Sequence, residues 1–311
     1  MKWKFFIKLA ISLVLIALVL RLVHPEELIK TLATVPAWVG LSVLLGYLTS
    51  QVLSAYKWQL LLHEATVLSS IANCIKAYFI GMFANCFGLG VVGGDLVRAL
   101  LVGKGEQAKT EAFASVVADR VHGLAVLAAI GTVATALFGS NIIERQLFVL
   151  LLGIGVALTI GWFLCPITLR FFSRRLDKLK QKIDNVRAVF PTKGSIIISI
   201  TLISISVHLI QIGLHKVIGI GLGVDIPWVV LLIVIPFVNI LSSLPFSWNG
   251  LGVREVSYVF FFTSQFEILS QEQAVAVGAI WFVAVVLSSL IGGMVAFLTG
   301  DLAVLRKSPS V

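Results

Sequence analysis

Ionisable and hydroxylated residues recur at helical spacing inside three apolar stretches. Tyr47, Ser50, Ser54 and Lys57 form one set, Glu111, Ser115, Asp119 and His122 with Arg120 alongside form a second, and Thr201, Ser204, His208, Gln211 and His215 form a third. At helical period each set occupies one face of its helix. A charge at the centre of a bilayer costs on the order of 3 kcal/mol or more unless it is paired or wet, so such faces need either water or each other. Two readings follow. The faces line a polar cavity, with Lys57, His122, His208, Gln211 and His215 on its wall, or they satisfy one another as hydrogen bonds between helices. Serine and threonine fit the second reading, because they bond their own helix backbone easily. Lys57, Asp119, Arg120 and the histidines favour the first. A single membrane histidine is more often a satisfied core residue than a ligand, and no metal site is predicted.

An internal echo is the second chemical signal. Phe83-Ala84-Asn85 followed by Gly94-x-x-x-Arg98 is matched by Phe237-Val238-Asn239 followed by Gly250-x-x-x-Arg254, with Asn and Gly nine residues apart in the first copy and eleven in the second. Glycine-rich interruptions at corresponding places in two halves of a membrane chain mark discontinuous helices at a transport site. Gly93, Gly94 and Asp95, and Gly250 and Gly252 beside Asn249, read as unwound backbone whose free N–H groups bind an anion, with Arg98 or Arg254 adding a guanidinium. Phosphate is the candidate anion. In the alternative, Asp95 and Glu255 are simply the counter-ions of these arginines.

These residues must be carried by apolar elements. The chain has 311 residues, 59% hydrophobic and 13% charged, with a mean hydropathy of +1.03, which excludes a water-soluble domain. An all-α, polytopic membrane helix bundle is predicted, with about eight spans at roughly 20 residues each. They fall near 5–23, 38–62, 113–138, 147–169, 195–219, 228–244, 253–267 and 274–299, with broken or re-entrant helices at 76–92 and 244–267 forming a weak internal repeat. A single integral membrane domain over 1–311 is expected. The amino terminus, with Lys2, Lys4 and Lys8 before an apolar run, reads as an uncleaved first span.

Net charge is +9, but eight basic and two acidic residues lie between Arg170 and Lys193, so the excess reports topology rather than nucleic-acid binding. The 98–111 and 170–193 loops, together with both termini, are predicted cytoplasmic. Within 170–193, Phe172, Leu176, Leu179, Ile183, Val186 and Phe190 keep helical period, predicting a basic amphipathic helix on the inner leaflet. Cys74, Cys86 and Cys165 form no C-x-x-C pair and read as packing residues. Gly153, Ala157 and Gly161, and Ala284, Ser288, Gly292, Ala296 and Gly300, are small-residue ladders suited to close helix packing in lipid.

Asn85 to Arg98 (NCFGLGVVGGDLVR), Ser115 to Gly123 (SVVADRVHG) and Leu244 to Glu255 (LPFSWNGLGVRE) resemble the lysylphosphatidylglycerol synthase transmembrane region, the flippase-like domain of the multiple peptide resistance factor. Leu89 stands where family members often carry proline. The resemblance implies an inner-membrane protein that moves a phospholipid, aminoacylated or otherwise anionic, between leaflets. No aminoacyl transferase domain follows in this sequence, so synthesis is not expected of it. Arg98 and Arg254 would then hold phosphate, while Asp95, Asp119 and Glu255 contact cationic headgroup parts or serve as counter-ions. No cofactor is expected, and the absence of a G-x-x-x-x-G-K-[ST] loop argues against direct use of ATP. Two alternatives stand beside transport. One is a non-catalytic partner of a separately encoded lipid-modifying enzyme or glycosyltransferase, docking through 170–193. The other is an intramembrane headgroup transferase with Asp119 and His122 as acid and base, which no nucleophile elbow, metal cluster or aspartate-rich motif accompanies.

Overall fold

The computed structural model describes residues 10–11, 13–17, 21, 23–175, 180–244, 247 and 249–301, with the backbone alone at 88–92, 182 and 185. The expected first span near 5–23, and Pro245, Leu176, Leu179 and the carboxyl tail, lie wholly or largely outside these residues.

The described chain is helical throughout. In order it forms α1 (Pro25–Thr34), α2 (Ala37–Glu64), α3 (Ile71–Ala84), a π-helical turn (Asn85–Leu89), α4 (Gly90–Val102), α5 (Glu106–Phe138) and α6 (Arg145–Arg175). The second half adds α7 (Lys180–Ala188), α8 (Gly194–Gly221), α9 (Trp228–Ser243), α10 (Val253–Tyr258), a second π-helical turn (Val259–Gln265) and α11 (Gln271–Leu298). Boundaries follow local chemistry. Pro36 and Pro227 precede α2 and α9, where a missing N–H costs nothing. The Ser70 hydroxyl accepts from the Asn73 N–H at 3.3 Å to start α3, and Ser270 and Gln273 form a reciprocal capping box at the start of α11.

Five helices, α2, α5, α6, α8 and α11, are long and apolar enough to cross a membrane. The two stretches expected to be broken or re-entrant, 76–92 and 244–267, have a different form. With 14 and 13 residues, α3 and α4 are each about 20 Å long, short of a hydrocarbon core of about 30 Å. They double back on each other: a Cβ at Gly94 would overlap the Gly81 carbonyl oxygen and the Asn85 side-chain oxygen, although one straight helix would hold Gly81 and Gly94 about 20 Å apart. The stretch 228–267 behaves likewise, for α9 ends at Ser243 and a Cβ on Gly250 would come within 2.9 Å of Ser242. Its turn needs left-handed backbone, with φ of 52° at Asn249, 76° at Gly250 and 83° at Gly252, which glycine supplies without steric cost. Both interruptions are hairpins.

These hairpins sit in two like-ordered triplets: α2, hairpin, α5, then α8, hairpin, α11. The longest contact joins α2 to α8, while α5 packs on α9 and α11 on α3. Each triplet's last helix thus covers the other's hairpin. If each long helix crosses once and each hairpin returns, the triplets would have opposite senses, the arrangement of inverted repeats. Small residues make the seats. Pro236 and Phe237 fill the space where a side chain on Gly131 of α5 would stand, and the Phe79 backbone of α3 lies directly against Gly292 of α11.

Two expectations about packing change. On α6, Gly153 and Gly161 have nothing near them, whereas Gly155 lies against Thr132 of α5; the ladder that packs is Ala284, Ser288, Gly292 and Ala296 on α11, while Gly300 beyond its end stands in open space. The basic 170–193 segment begins as the end of α6 and becomes α7, whose apolar face does not lie on a leaflet. Val186, Val189 and Phe190 pack on Ala114 and Ala118 of α5 and Trp162 of α6, with the Phe190 and Trp162 rings 5.0 Å apart. Lys193 reaches Glu64 at 3.5 Å and Ser173 donates to Asp184 at 2.8 Å, tying α7 to its neighbours.

Candidate functional site

Between the two triplets lies a cavity of about 480 Å³, within the range of about 300–1,000 Å³ usual for small-molecule sites. Its wall takes Ser54 and Lys57 from α2, Asp119 and Arg120 from α5, and Ser204, His208 and Gln211 from α8. The hairpins close it, contributing Asn85, Gly94, Asp95 and Arg98 from the first and Asn239, Asn249 and Arg254 from the second. Residues 154 positions apart in the chain therefore face one space because the triplets are crossed.

The first hairpin carries a continuous ion network. Lys57 Nζ lies 2.9 Å from Asp119 Oδ1, and Arg98 Nη2 donates to Asp119 Oδ2 at 3.1 Å. Arg98 Nε is 3.2 Å from Asp95 Oδ1, and Arg120 donates through Nε and Nη2 to the two oxygens of Asp95 at 2.9 and 3.0 Å. Two rings flank the Arg98 guanidinium, Trp58 at 4.9 Å and Tyr78 at 4.8 Å, so aromatic faces replace part of its hydration. The counter-ion alternative therefore describes Arg98. Asp95 and Asp119 hold it in place, and its Nη1 remains buried without an acceptor among the described residues.

Arg254 differs. It makes no ion pair and no hydrogen bond among the described residues, and its Nε and Nη1 atoms are buried without partners. Glu255, its expected counter-ion, turns away: Oε2 accepts the Gly252 N–H at 2.7 Å, and the carboxylate lies against Gly278 of α11. That same bond occupies the Gly252 N–H proposed for an anion. Gly93 and Gly94 are corrected too, since both belong to helix α4, and Gly94 is the contact point of the hairpin arms rather than unwound backbone. Gly250, Gly252 and Glu255 shape the second turn from behind the wall. Ser242, which the sequence did not single out, lines the cavity with a buried and unpartnered hydroxyl.

The histidines divide. His208 is on the wall and its Nε2 is 3.0 Å from the Gly123 carbonyl. His122 and His215 are not on the wall. His122 Nε2 meets Thr201 Oγ1 at 3.1 Å beside Trp162, and His215 bonds the Gln211 carbonyl and the Tyr258 hydroxyl, both at 2.7 Å, while stacking on Trp281. Together with Trp58 Nε1 donating to Ser115 at 3.0 Å and Gln211 Nε2 donating to Ser50 at 3.3 Å, they show that both readings of the polar faces hold, on different sides of the same helices. Tyr78 of the short α3, and Trp281 and Ser289 of the long α11, also line the cavity unanticipated.

The pattern of the lysylphosphatidylglycerol synthase TM region family runs through residues 5–293, taking in both hairpins and every helix of the cavity wall. The chain belongs to this family. No curated protein and no solved structure gives a match. As a lysylphosphatidylglycerol synthase TM region it is an integral membrane protein linked to lipid metabolism, and the network and the unpaired arginine described above lie within the family's own segment.

Proposed function

We propose that the protein carries a phospholipid headgroup between leaflets through this cavity, acyl tails remaining in the bilayer, without chemical conversion of the lipid. The observation that carries the reading is Arg254, a guanidinium without a partner among the described residues, on the wall of a polar cavity in a membrane bundle. Hydrocarbon offers such a group no solvent, so it is tolerated where water or an anion reaches it. Family membership and the like-ordered arrangement of two hairpins support the same conclusion. A transferase is less favoured because its acid and base are not assembled: Asp119 is held by Lys57 and Arg98, and His122 faces Thr201. A dock at α7 is less favoured because its apolar face is already covered by α5 and α6.

In this reading the protein sits in the cytoplasmic membrane with both termini inside, following the Lys and Arg of 98–111 and 170–193. The test is leaflet exchange of fluorescent phospholipids in vesicles containing purified protein. Arg254→Ala should abolish exchange while yield and helicity stay at wild-type level. Exchange at the wild-type rate would reject the role of the cavity.

A further inference from the structure

The charges on the wall select among headgroups. Lys57, Arg98, Arg120 and Arg254 face the cavity with Asp95 and Asp119, four cations against two carboxylates. Both carboxylates are already engaged by Lys57, Arg98 and Arg120. Glu255, behind the wall on Gly252, lowers the excess from two to one when it is counted. By either count the site carries surplus positive charge. Free bonding capacity points the same way: Arg254 has buried N–H groups without acceptors, and Ser242, 6% exposed, has an unpartnered hydroxyl on the same wall. No carboxylate on the wall is left unpaired to receive an ammonium.

We propose, building on the transport reading, that the cavity takes a phosphate headgroup of net negative charge and discriminates against headgroups that carry amino groups. A phosphodiester with a neutral alcohol brings one negative charge to Arg254 and lowers the surplus by one. An ethanolamine headgroup brings no net charge, and a lysyl ester brings two ammoniums for one phosphate, adding positive charge to a space that already has too much. The order of preference is therefore phosphatidylglycerol, then phosphatidylethanolamine, then lysylphosphatidylglycerol. Arg254 sets that order, because it has no carboxylate beside it among the described residues, whereas Lys57, Arg98 and Arg120 share Asp95 and Asp119. The guanidinium fork matches two phosphate oxygens and the Ser242 hydroxyl can donate to a third.

The test measures binding and exchange separately on the full chain. Purified protein in neutral-lipid nanodiscs is titrated with each of the three lipids and with soluble glycerol phosphate, and bound lipid is counted by native mass spectrometry. Phosphatidylglycerol should bind about 10- to 100-fold more tightly than the lysyl ester, the range expected for one charge-assisted contact. Arg254→Gln should remove that preference, and Arg254→Lys should restore part of it. Thermal unfolding without added lipid should be unchanged in both variants, since Arg254 has no hydrogen-bond or ion-pair partner among the described residues to lose. Equal or tighter binding of the lysyl ester overturns the proposal, as does an unaltered preference in Arg254→Gln. Binding of glycerol phosphate as tight as that of the lipid would assign the site to a soluble anion and overturn the lipid assignment. Leaflet exchange is followed in the same preparations. Anionic preference without any exchange refutes transport and leaves the selectivity standing, whereas faster exchange of the lysyl ester refutes the selectivity and leaves transport standing.

Discussion

Replacing Asp119 by Asn keeps the shape of the side chain and removes one charge from between two buried cations. Lys57 and Arg98 have side chains 7% and 4% exposed, at 2.9 and 3.1 Å from the carboxylate. At an effective dielectric of about 20, each attraction is roughly 5–6 kcal/mol before desolvation is subtracted. Arg98 keeps Asp95 at 3.2 Å. Lys57 keeps no carboxylate and falls back on the backbone carbonyl of residue 119, at 3.3 Å. Stranding one buried charge in this way typically costs about 3–5 kcal/mol, and at about 2–4 °C per kcal/mol the loss in Tm is roughly 6–20 °C. The cause can be isolated with a second change. Lys57→Met on the Asp119→Asn background removes the stranded charge, so the double variant should regain at least half of the lost Tm, and a double-mutant cycle should show coupling of the two sites. The assay is thermal unfolding of purified protein in one detergent, followed by tryptophan fluorescence. An Asp119→Asn protein melting with the wild type, or a double variant less stable than the single, would refute the view that the network is held by charge balance.

Three further outcomes test the packing. Gly94→Ala places a methyl group on the Gly81 carbonyl and the Asn85 side chain, and should cost about 1–3 kcal/mol or more, read as a lower Tm and a lower yield of folded protein. Gly153→Ala, with open space around it, should stay within about 0.5 kcal/mol of wild type. Phe190→Ala removes a ring, 6% exposed, from its stack on Trp162 and should destabilise by about 3–5 kcal/mol; a neutral result would mean that α7 rests on lipid rather than on α5 and α6.

Much of the site was legible because helical period alone decides which residues share a face. Lys57, Asp119, His208 and Gln211 reached one cavity from three helices for that reason. Period does not say which flank of a polar face a neighbouring helix will cover. His122 and His215 were lost to Thr201 and Tyr258, partners 79 and 43 residues away. Gly93 and Gly94 misled for a different reason: glycine serves unwound backbone and close helix contact equally, and only the approach of Gly81 distinguishes them. The apolar face of α7 posed the same difficulty, because lipid and protein cover such a face equally well in sequence terms. Ser242 gave no signal, as a serine in an apolar helix ordinarily bonds its own backbone, and here its hydroxyl does not. The interruptions at 76–92 and 244–267 were legible from their glycines, but period alone did not show that α3 with α4, and α9 with α10, fold back as hairpins.

The seat of the first hairpin has a consequence for biogenesis. Gly292, which rests on the Phe79 backbone, lies on α11, which is synthesised after the other long helices described. Until that helix is inserted, α3 has no cover on one side, and the acids and bases of the first half wait in a partly assembled bundle. The second half is equally dependent, since α9 leans on α5. Neither half can mature before the other, so the two are bound to a common moment of completion at the translocon exit.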